Sequence, residues 1–317
     1  MKRKKKISPF LIFRLLGIIL FVVILSHMNI AKIAHDLKDL DINFFIYGIL
    51  FQILVLVFKG IRWHAMNDGR MQKQFWIRSF GRFFESYAIG VVTPGRLGEL
   101  IKAGHEENKN DKVNTFIRVV SERGFDVSIF VLVAVAALFF GEFIRLETWL
   151  NWLFLSGGLF LLVMSYLLLS SRKTLLLLQN LVNRLPGRFS SIEIQGKQYP
   201  EGRVSIILLL SILSNFSYFI SCYFLAKSVL LDIPLIDVSA GVALAGLLNM
   251  LPITIMGLGT RELIFLGIFS SFAQSSVLAF SISVLLVAQF GGGILSMIFG
   301  QIFLAADKKR RKEIENE

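Results

Sequence analysis

Residues 204–225 read VSIILLLSILSNFSYFISCYFL, a run without a single charge. A helix needs about 20 mostly apolar residues to cross a bilayer core of about 30 Å. Arg203 stands just before this run, and Lys227 and Asp232 follow it. Working outward, further apolar runs lie at 10–25, 44–58, 127–140, 152–169 and 277–306. In lipid only helices and closed barrels satisfy the backbone, and these runs lack the strict alternation of barrel strands. The composition is 55% hydrophobic with a mean hydropathy of +0.66, above the usual soluble domain. The fold class expected is an all-α polytopic membrane protein.

The net charge of +12 raises the question of nucleic acid, and its distribution answers it. Lys2, Arg3, Lys4, Lys5 and Lys6 precede the first apolar run, and Lys308, Lys309, Arg310, Arg311 and Lys312 follow the last. Basic clusters flanking spans mark the cytoplasmic side and suit an anionic leaflet. No aromatic-interleaved basic domain stands apart from the spans, so nucleic acid is not an expected partner. The first run has the basic start of a signal peptide but is long for one and lacks a small-x-small site before His27, so it reads as a retained span. The lone Cys222 excludes an internal disulfide, and His27, His35, His64 and His105 have no metal-ligand spacing. No metal or cofactor is expected.

Threaded from the inside, the spans are about 9–28, 44–61, 124–141, 152–170, 204–226 and 277–304. Twenty-eight of the 34 Lys and Arg then fall on the inside, against five outside: Lys32, Lys38, Arg145, Lys227 and Arg261. Arg14 belongs to the inside end of the first span. Both termini are expected in the cytoplasm, in the plasma (inner) membrane of a bacterium or archaeon. Two segments do not fit plain crossings. Residues 83–102 hold an apolar part, 87–93, too short to span and ended by Pro94-Gly95. Residues 239–272 are broken at Pro252 and Gly257-Leu258-Gly259. Each is expected as a re-entrant helical hairpin, over 87–100 from the inside and 241–262 from the outside; counted as crossings they raise six spans to seven or eight.

The order span, span, hairpin, span therefore occurs twice with opposite orientation, over about 9–141 and 152–305. The whole chain, 1–317, is read as one transmembrane domain, with a cytoplasmic linker at 171–203 whose apolar start, 174–185, suits the interface. Thr93-Pro94-Gly95-Arg96-Leu97-Gly98-Glu99-Leu100-Ile101 echoes Gly257-Leu258-Gly259-Thr260-Arg261-Glu262-Leu263-Ile264 in its glycine break, its Arg and its Glu-Leu-Ile. Inverted repeats with broken helices let one fold present a central site to either side. Half-helix ends at membrane depth offer partial charges to a ligand. Pro94, Gly95, Gly98, Pro252, Gly257 and Gly259 are the expected hinge residues.

The candidate substrate-binding residues cluster at these breaks. Arg96 and Glu99, at (i, i+3), either cap a half-helix near water or contact a headgroup. Arg261 and Glu262 are adjacent and so do not share a face; one is free for a cavity while the other holds the turn. Glu122, Arg123 and Asp126 enter the third span, where charge costs several kcal/mol unless paired or hydrated. Asp126 either bridges to Arg123 or lines a route with it. Arg62 is expected to snorkel to the headgroups, and Glu85 is a weaker candidate for the cavity. Gly241, Ala245, Gly246 and Gly291-Gly292-Gly293 suit close helix packing or a flexible point. No P-loop, Rossmann fingerprint or G-x-S-x-G is present.

Three motifs in order carry a resemblance. Tyr87-Ala88-Ile89-Gly90 with Thr93-Pro94-Gly95-Arg96-Leu97-Gly98-Glu99 resembles the first signature of a flippase-like membrane family that includes the transmembrane part of lysylphosphatidylglycerol synthase. Glu122-Arg123-Gly124-Phe125-Asp126 resembles its ER-x-x-D element. Leu251-Pro252 through Gly257-Leu258-Gly259-Thr260-Arg261-Glu262 resembles its late P…GGxG-x-RE element, with Met256 where the family often has glycine. The likeness extends over about 10–305. It implies handling of a lipid with a polar head, aminoacylated, polyprenyl-linked or glycosylated, between leaflets. It does not imply aminoacyl transfer, which belongs to a separate soluble domain.

Three functions follow as expectations. The first is a flippase-like transporter whose partner is a membrane lipid. The second is a non-transporting accessory subunit of a separate lipid-modifying enzyme or glycosyltransferase. The third, an integral-membrane enzyme, would draw on Glu99, Asp126 and Glu262 as acid–base groups; the chain is expected not to be one.

Overall fold

The computed structural model describes residues 23, 24, 26, 30–67, 73–104, 109–141, 148–183, 198–251, 254 and 256–315. Helix α1 is Ile30–Lys38, α2 Ile42–Asn67, α3 Lys73–Val92, α4 Ile101–Gly104, α5 Lys109–Phe140 and α6 Thr148–Ser170. Then follow α7 Arg172–Asn183, α8 Glu201–Ser228, α9 Leu235–Met250, α10 Thr260–Ile268, α11 Gln274–Val284 and α12 Gly292–Glu315. A 3-10 turn, Pro94–Leu100, lies between α3 and α4, and a π turn, Leu285–Gly291, joins α11 to α12. No strand occurs among the described residues.

Five of these stretches are long and apolar enough to cross a membrane: Ile42–Asn67, Asp111–Phe140, Trp149–Ser170, Glu201–Ser228 and Gln274–Arg310. The first expected span, for the most part, and the Lys2–Lys6 cluster, the 142–147 loop and residues 184–197 of the linker fall outside the described residues. Large apolar side chains point outward, such as Ile46, Leu50, Phe160, Phe216 and Ile298. Polar and charged ones are buried, among them Gln52, Arg62, Glu122, Asp126 and Asn215. That inside-out distribution suits lipid around the outside and a polar interior. The protein is an all-α multi-pass membrane protein.

The helices pair in a pattern that survives exchange of the two halves. Helix α2 packs along α8, its equivalent in the second half. Helix α3 packs on α12, and correspondingly α9 packs on α5. Helix α2 adjoins α3 as α8 adjoins α9. Small residues allow these approaches. A Cβ on Gly48 would meet the Leu225 side chain at 2.7 Å, and the Ser221 hydroxyl donates to the Gly48 carbonyl at 2.7 Å. A Cβ on Gly241 would meet the Phe269 ring at 2.9 Å.

Several boundaries differ from the sequence reading. Helix α3 begins at Lys73, so the first irregular segment is a twenty-residue helix that ends at a break, rather than a short apolar piece. Lys73, Arg78, Arg82 and Glu85 had masked it by lowering its hydropathy. Helix α5 starts fifteen residues before the expected span at 124. Helix α2 continues to Asn67, six residues past its expected end. The chain after α6 explains that extension. The Tyr199 hydroxyl donates to the Met66 carbonyl, and Arg203 Nε donates to the Ala65 carbonyl at 2.7 Å, so the end of α2 is capped by the start of α8.

Candidate functional site

The first break is held by its own side chains. The Arg96 N–H donates to the Thr93 carbonyl at 3.0 Å, and the Thr93 hydroxyl accepts the Gly98 N–H at 2.8 Å. Pro94 opens the turn, and Gly95 and Arg96 take φ of 59° and 54°. Glycine accepts this left-handed geometry, whereas for arginine it costs about 1–2 kcal/mol. Gly98 is required for a different reason: a Cβ there would lie 2.7 Å from the Ile89 carbonyl oxygen. Gly90 leaves room for Glu99 to fold back on α3, since a Cβ on Gly90 would meet Glu99 Cγ at 2.6 Å.

The second break is built similarly. Met256, Gly257 and Gly259 take φ of 56°, 73° and 81°. The Gly259 N–H donates to Glu262 Oε2 at 2.6 Å, which caps the start of α10. Arg261 donates to Glu262 Oε1 at 2.6 Å and to the Ser281 hydroxyl at 2.8 Å. The adjacent pair therefore does meet: Glu262 serves the turn with one oxygen and Arg261 with the other. The expected hinge Pro252 lies outside the described residues.

Between the breaks sits a network of ion pairs. Arg62, fully buried, donates to Asp126 Oδ1 and Glu122 Oε1, each at 2.7 Å, and to the Ser211 hydroxyl at 2.9 Å. Lys102 donates to Glu122 Oε2 at 3.0 Å, with its ammonium 4.3 Å from the Trp63 ring centroid. Lys59 reaches Asp126 Oδ2 at 3.3 Å, and Asn215 donates to Asp126 Oδ1 at 2.9 Å. Glu99 pairs with Arg123, and more loosely with Lys102 at 3.8 Å and Arg96 at 3.9 Å.

Two sequence expectations are corrected here. Asp126 is not bridged to Arg123, because α5 turns it toward α2 and α8, where Arg62, Lys59 and Asn215 wait. Arg62 does not snorkel to headgroups; the longer α2 carries it into the core. Arg96 and Glu99 do share a face, at a loose 3.9 Å. The sequence reading also missed Lys59, Lys102 and Asn215 as network members. A signal for Asn215 was present: Ser211, Ser214, Asn215, Tyr218 and Ser221 make a polar stripe at helical spacing on an otherwise apolar span.

The network opens onto a cavity of about 590 Å³, counting its mouth. Lys59, Arg96, Arg123 and Asp126 line it, with Gln52, Tyr87 and Asn215. A smaller cavity of about 300 Å³ adjoins the second break and is lined by Met256, Gly257 and Arg261. Tyr218, Gly246, Asn249 and Gln289 line both. Gln289 lies in the π turn, and its Oε1 stands 3.5 Å from Arg96 Nη2. The two breaks thus face one another across a shared polar wall. Glu99 and Glu262 are turned away into ion pairs, and Glu85 is not among the described lining residues of either cavity.

Comparison with known proteins bears on this arrangement at the level of the family. No curated protein matches the chain. A family model described as the lysylphosphatidylglycerol synthase TM region matches residues 9–294, nearly the whole length that carries the helices, the breaks and the ion-pair network. The chain belongs to that family.

Proposed function

We propose that the protein is a flippase-like transporter that moves a lipid with an anionic polar head between leaflets, with both termini in the cytoplasm of a bacterial or archaeal plasma membrane. One observation carries this reading: two polar cavities, one at each helix break, share a wall and hold an arginine each, Arg96 and Arg261. A headgroup passing through a low-dielectric interior needs compensating charge and hydrogen-bond donors along its route. Irregular backbone at membrane depth is tolerated where it lines such a cavity. The sequence has no nucleotide-binding motif, so the transporter is proposed to carry no nucleotide-driven energy source of its own. The chain performs no chemistry on the lipid.

Leaflet exchange of labelled anionic lipid in proteoliposomes tests the proposal. Arg96→Ala should slow exchange about tenfold, the effect of losing roughly 1.4 kcal/mol at the rate-limiting barrier. Arg96→Lys should recover part, since an ammonium cannot grip phosphate bidentately. Its fold should persist, because the Arg96 side chain is partly exposed and its ion pair is long. Arg261→Ala is a poorer probe, since it strips Glu262 and Ser281 of a partner and should lower stability as well. Exchange by Arg96→Ala at the parent's rate and melting temperature would make Arg96 an ordinary interface anchor, and a folded parent that moves no lipid would remove the transport reading.

The family's description names a synthase, and this favours a second reading: the chain is the membrane partner of a lipid-modifying enzyme. That reading takes over if purified protein moves no lipid while a separate enzyme gains activity in its presence.

A further inference from the structure

We propose that the larger cavity is built for a phosphate group carrying two or more negative charges, a phosphomonoester or a diphosphate, and not for a zwitterionic or amine-bearing head. This rests on the lipid-handling reading above and names the chemical class of its ligand.

Among the described residues of the network, five cations face three carboxylates. The network separates into an inner and an outer set. Inside, the side chains of Arg62 and Lys102 are wholly buried and meet the carboxylates of Glu122 and Asp126. Two cations and two carboxylates balance in that set, although Lys59 also reaches Asp126 and Lys102 also reaches Glu99. The outer set is Lys59, Arg96 and Arg123, whose side chains keep 13%, 19% and 22% of their surface open. All three line the cavity. One carboxylate remains for them, Glu99, which Arg96 and Arg123 both use. Three cations against one carboxylate leave two positive charges at the cavity wall.

The second cavity has no such surplus, since Arg261 is neutralised by Glu262. The excess is therefore local. An unmatched charge at membrane depth is costly unless hydrated or met by a ligand. Arginine and lysine together suit phosphate oxygens, through bidentate guanidinium contacts and a point-like ammonium. Gln52, Asn249, Gln289 and Tyr218 add neutral polar groups on the same wall. An ammonium-bearing head would instead need free carboxylate. Among the described residues Asp126 is the one carboxylate lining the cavity, and Arg62, Lys59 and Asn215 already occupy it.

The test is a binding series on the full chain in phosphatidylcholine nanodiscs at pH 8, where a phosphomonoester carries nearly two charges. The probes are phosphatidic acid, farnesyl diphosphate, phosphatidylglycerol, lysyl-phosphatidylglycerol and inorganic pyrophosphate. The first two should bind about tenfold or more tighter than phosphatidylglycerol, with the lysyl lipid weakest. Lys59→Met, which leaves a surplus of one, should erase the preference over phosphatidylglycerol. Glu99→Gln, which raises the surplus to three, should tighten phosphatidic acid binding several-fold, a gain that a purely structural role for Glu99 would not produce. The parent's ranking decides the matter even where a variant fails to fold. Competition by pyrophosphate alone supports a site for the phosphate group itself; competition by the lipids alone supports the same site with an acyl requirement. Equal binding of phosphatidic acid and phosphatidylglycerol, or tightest binding of the lysyl lipid, overturns the proposal. Leaflet exchange on the same samples separates it from the transport reading: a ranking without exchange removes transport and keeps the charge assignment, and exchange without a ranking does the reverse.

Discussion

At the scale of single residues, burial decides which charges hold the fold and which are free for a ligand. Arg62 is completely enclosed and serves two carboxylates and a hydroxyl. Arg123 keeps 22% of its side chain open and serves Glu99. Breaking a buried pair by removing one partner costs about 3–5 kcal/mol, because a charge is left uncompensated, whereas partly exposed pairs are worth about 1 kcal/mol or less. Arg62→Met should therefore lower the melting temperature sharply and reduce yield, while Arg123→Gln stays close to the parent. Adding Glu122→Gln and Asp126→Asn to Arg62→Met should restore part of the loss. Thermal scans in detergent measure all three, and a parent-like melt for Arg62→Met would contradict the assignment. These charges were visible in the sequence, but their partners were not. Spacing along α5 offers Arg123 to Asp126, and nothing in that spacing reports that α2 delivers Arg62 from the other side. The adjacent Arg261 and Glu262 were separated by the same local logic, which ignores how far two long side chains reach around a helix start.

At the scale of elements, the breaks were legible because proline and glycine punctuate a helix wherever they occur. Thr93-Pro94-Gly95 and Gly257-Leu258-Gly259 fall where the backbone leaves the helix, and Met256, standing where the family often has glycine, carries a positive φ of 56°. The reach of the flanking helices was not legible. Helix α3 mixes charge with apolar residues, and its burial against α12 is a tertiary fact. The π turn at Leu285–Gly291 left only Gly291-Gly292-Gly293 as a trace. The two breaks need glycine for different reasons, and substitution separates them. At Gly98 a methyl group would collide with the Ile89 backbone, so Gly98→Ala should cost about 2–3 kcal/mol by overpacking against atoms that cannot turn aside. At Gly257 a methyl group would meet Asn249 only at an ordinary contact distance of 3.5 Å, and the left-handed φ is the obstacle, so Gly257→Ala should cost about 1–2 kcal/mol. A melting temperature for Gly98→Ala equal to or above that of Gly257→Ala would mean that the turn relaxes and that the close approach is unimportant.

At the scale of the molecule, the exchange pattern of the helix pairs makes orientation the deciding question. Pairings of α3 with α12 and of α9 with α5 correspond to each other whether the halves run the same way or opposite ways. Charge distinguishes these. Five of the 28 Lys and Arg assigned to the inside, Lys59, Arg62, Arg96, Lys102 and Arg123, prove to be network members and carry no weight as loop charges. Arg261, counted outside, is likewise buried in a pair. The corrected bias is 23 against four, which still supports the proposed orientation, with the α3 end of the first half and the tail after α12 on the same, cytoplasmic side. In that proposed orientation the first break enters from the inside and the second from the outside. Leu97, an exposed residue of the first break, and Leu258, a half-buried one of the second, are the positions to label. In a Cys222→Ser background, Leu97→Cys should react with a membrane-impermeant thiol reagent from the cytoplasmic face and Leu258→Cys from the external face. Reporters at Lys109 and Asp232 should read cytoplasmic and external in the same cells. An alternating route between the two cavities requires opposite faces, because a headgroup that enters and leaves by one side has not crossed. Labelling of both cysteines from a single face, with the reporters unchanged, would leave the cavities as a binding site on one leaflet and favour the partner-enzyme reading over transport.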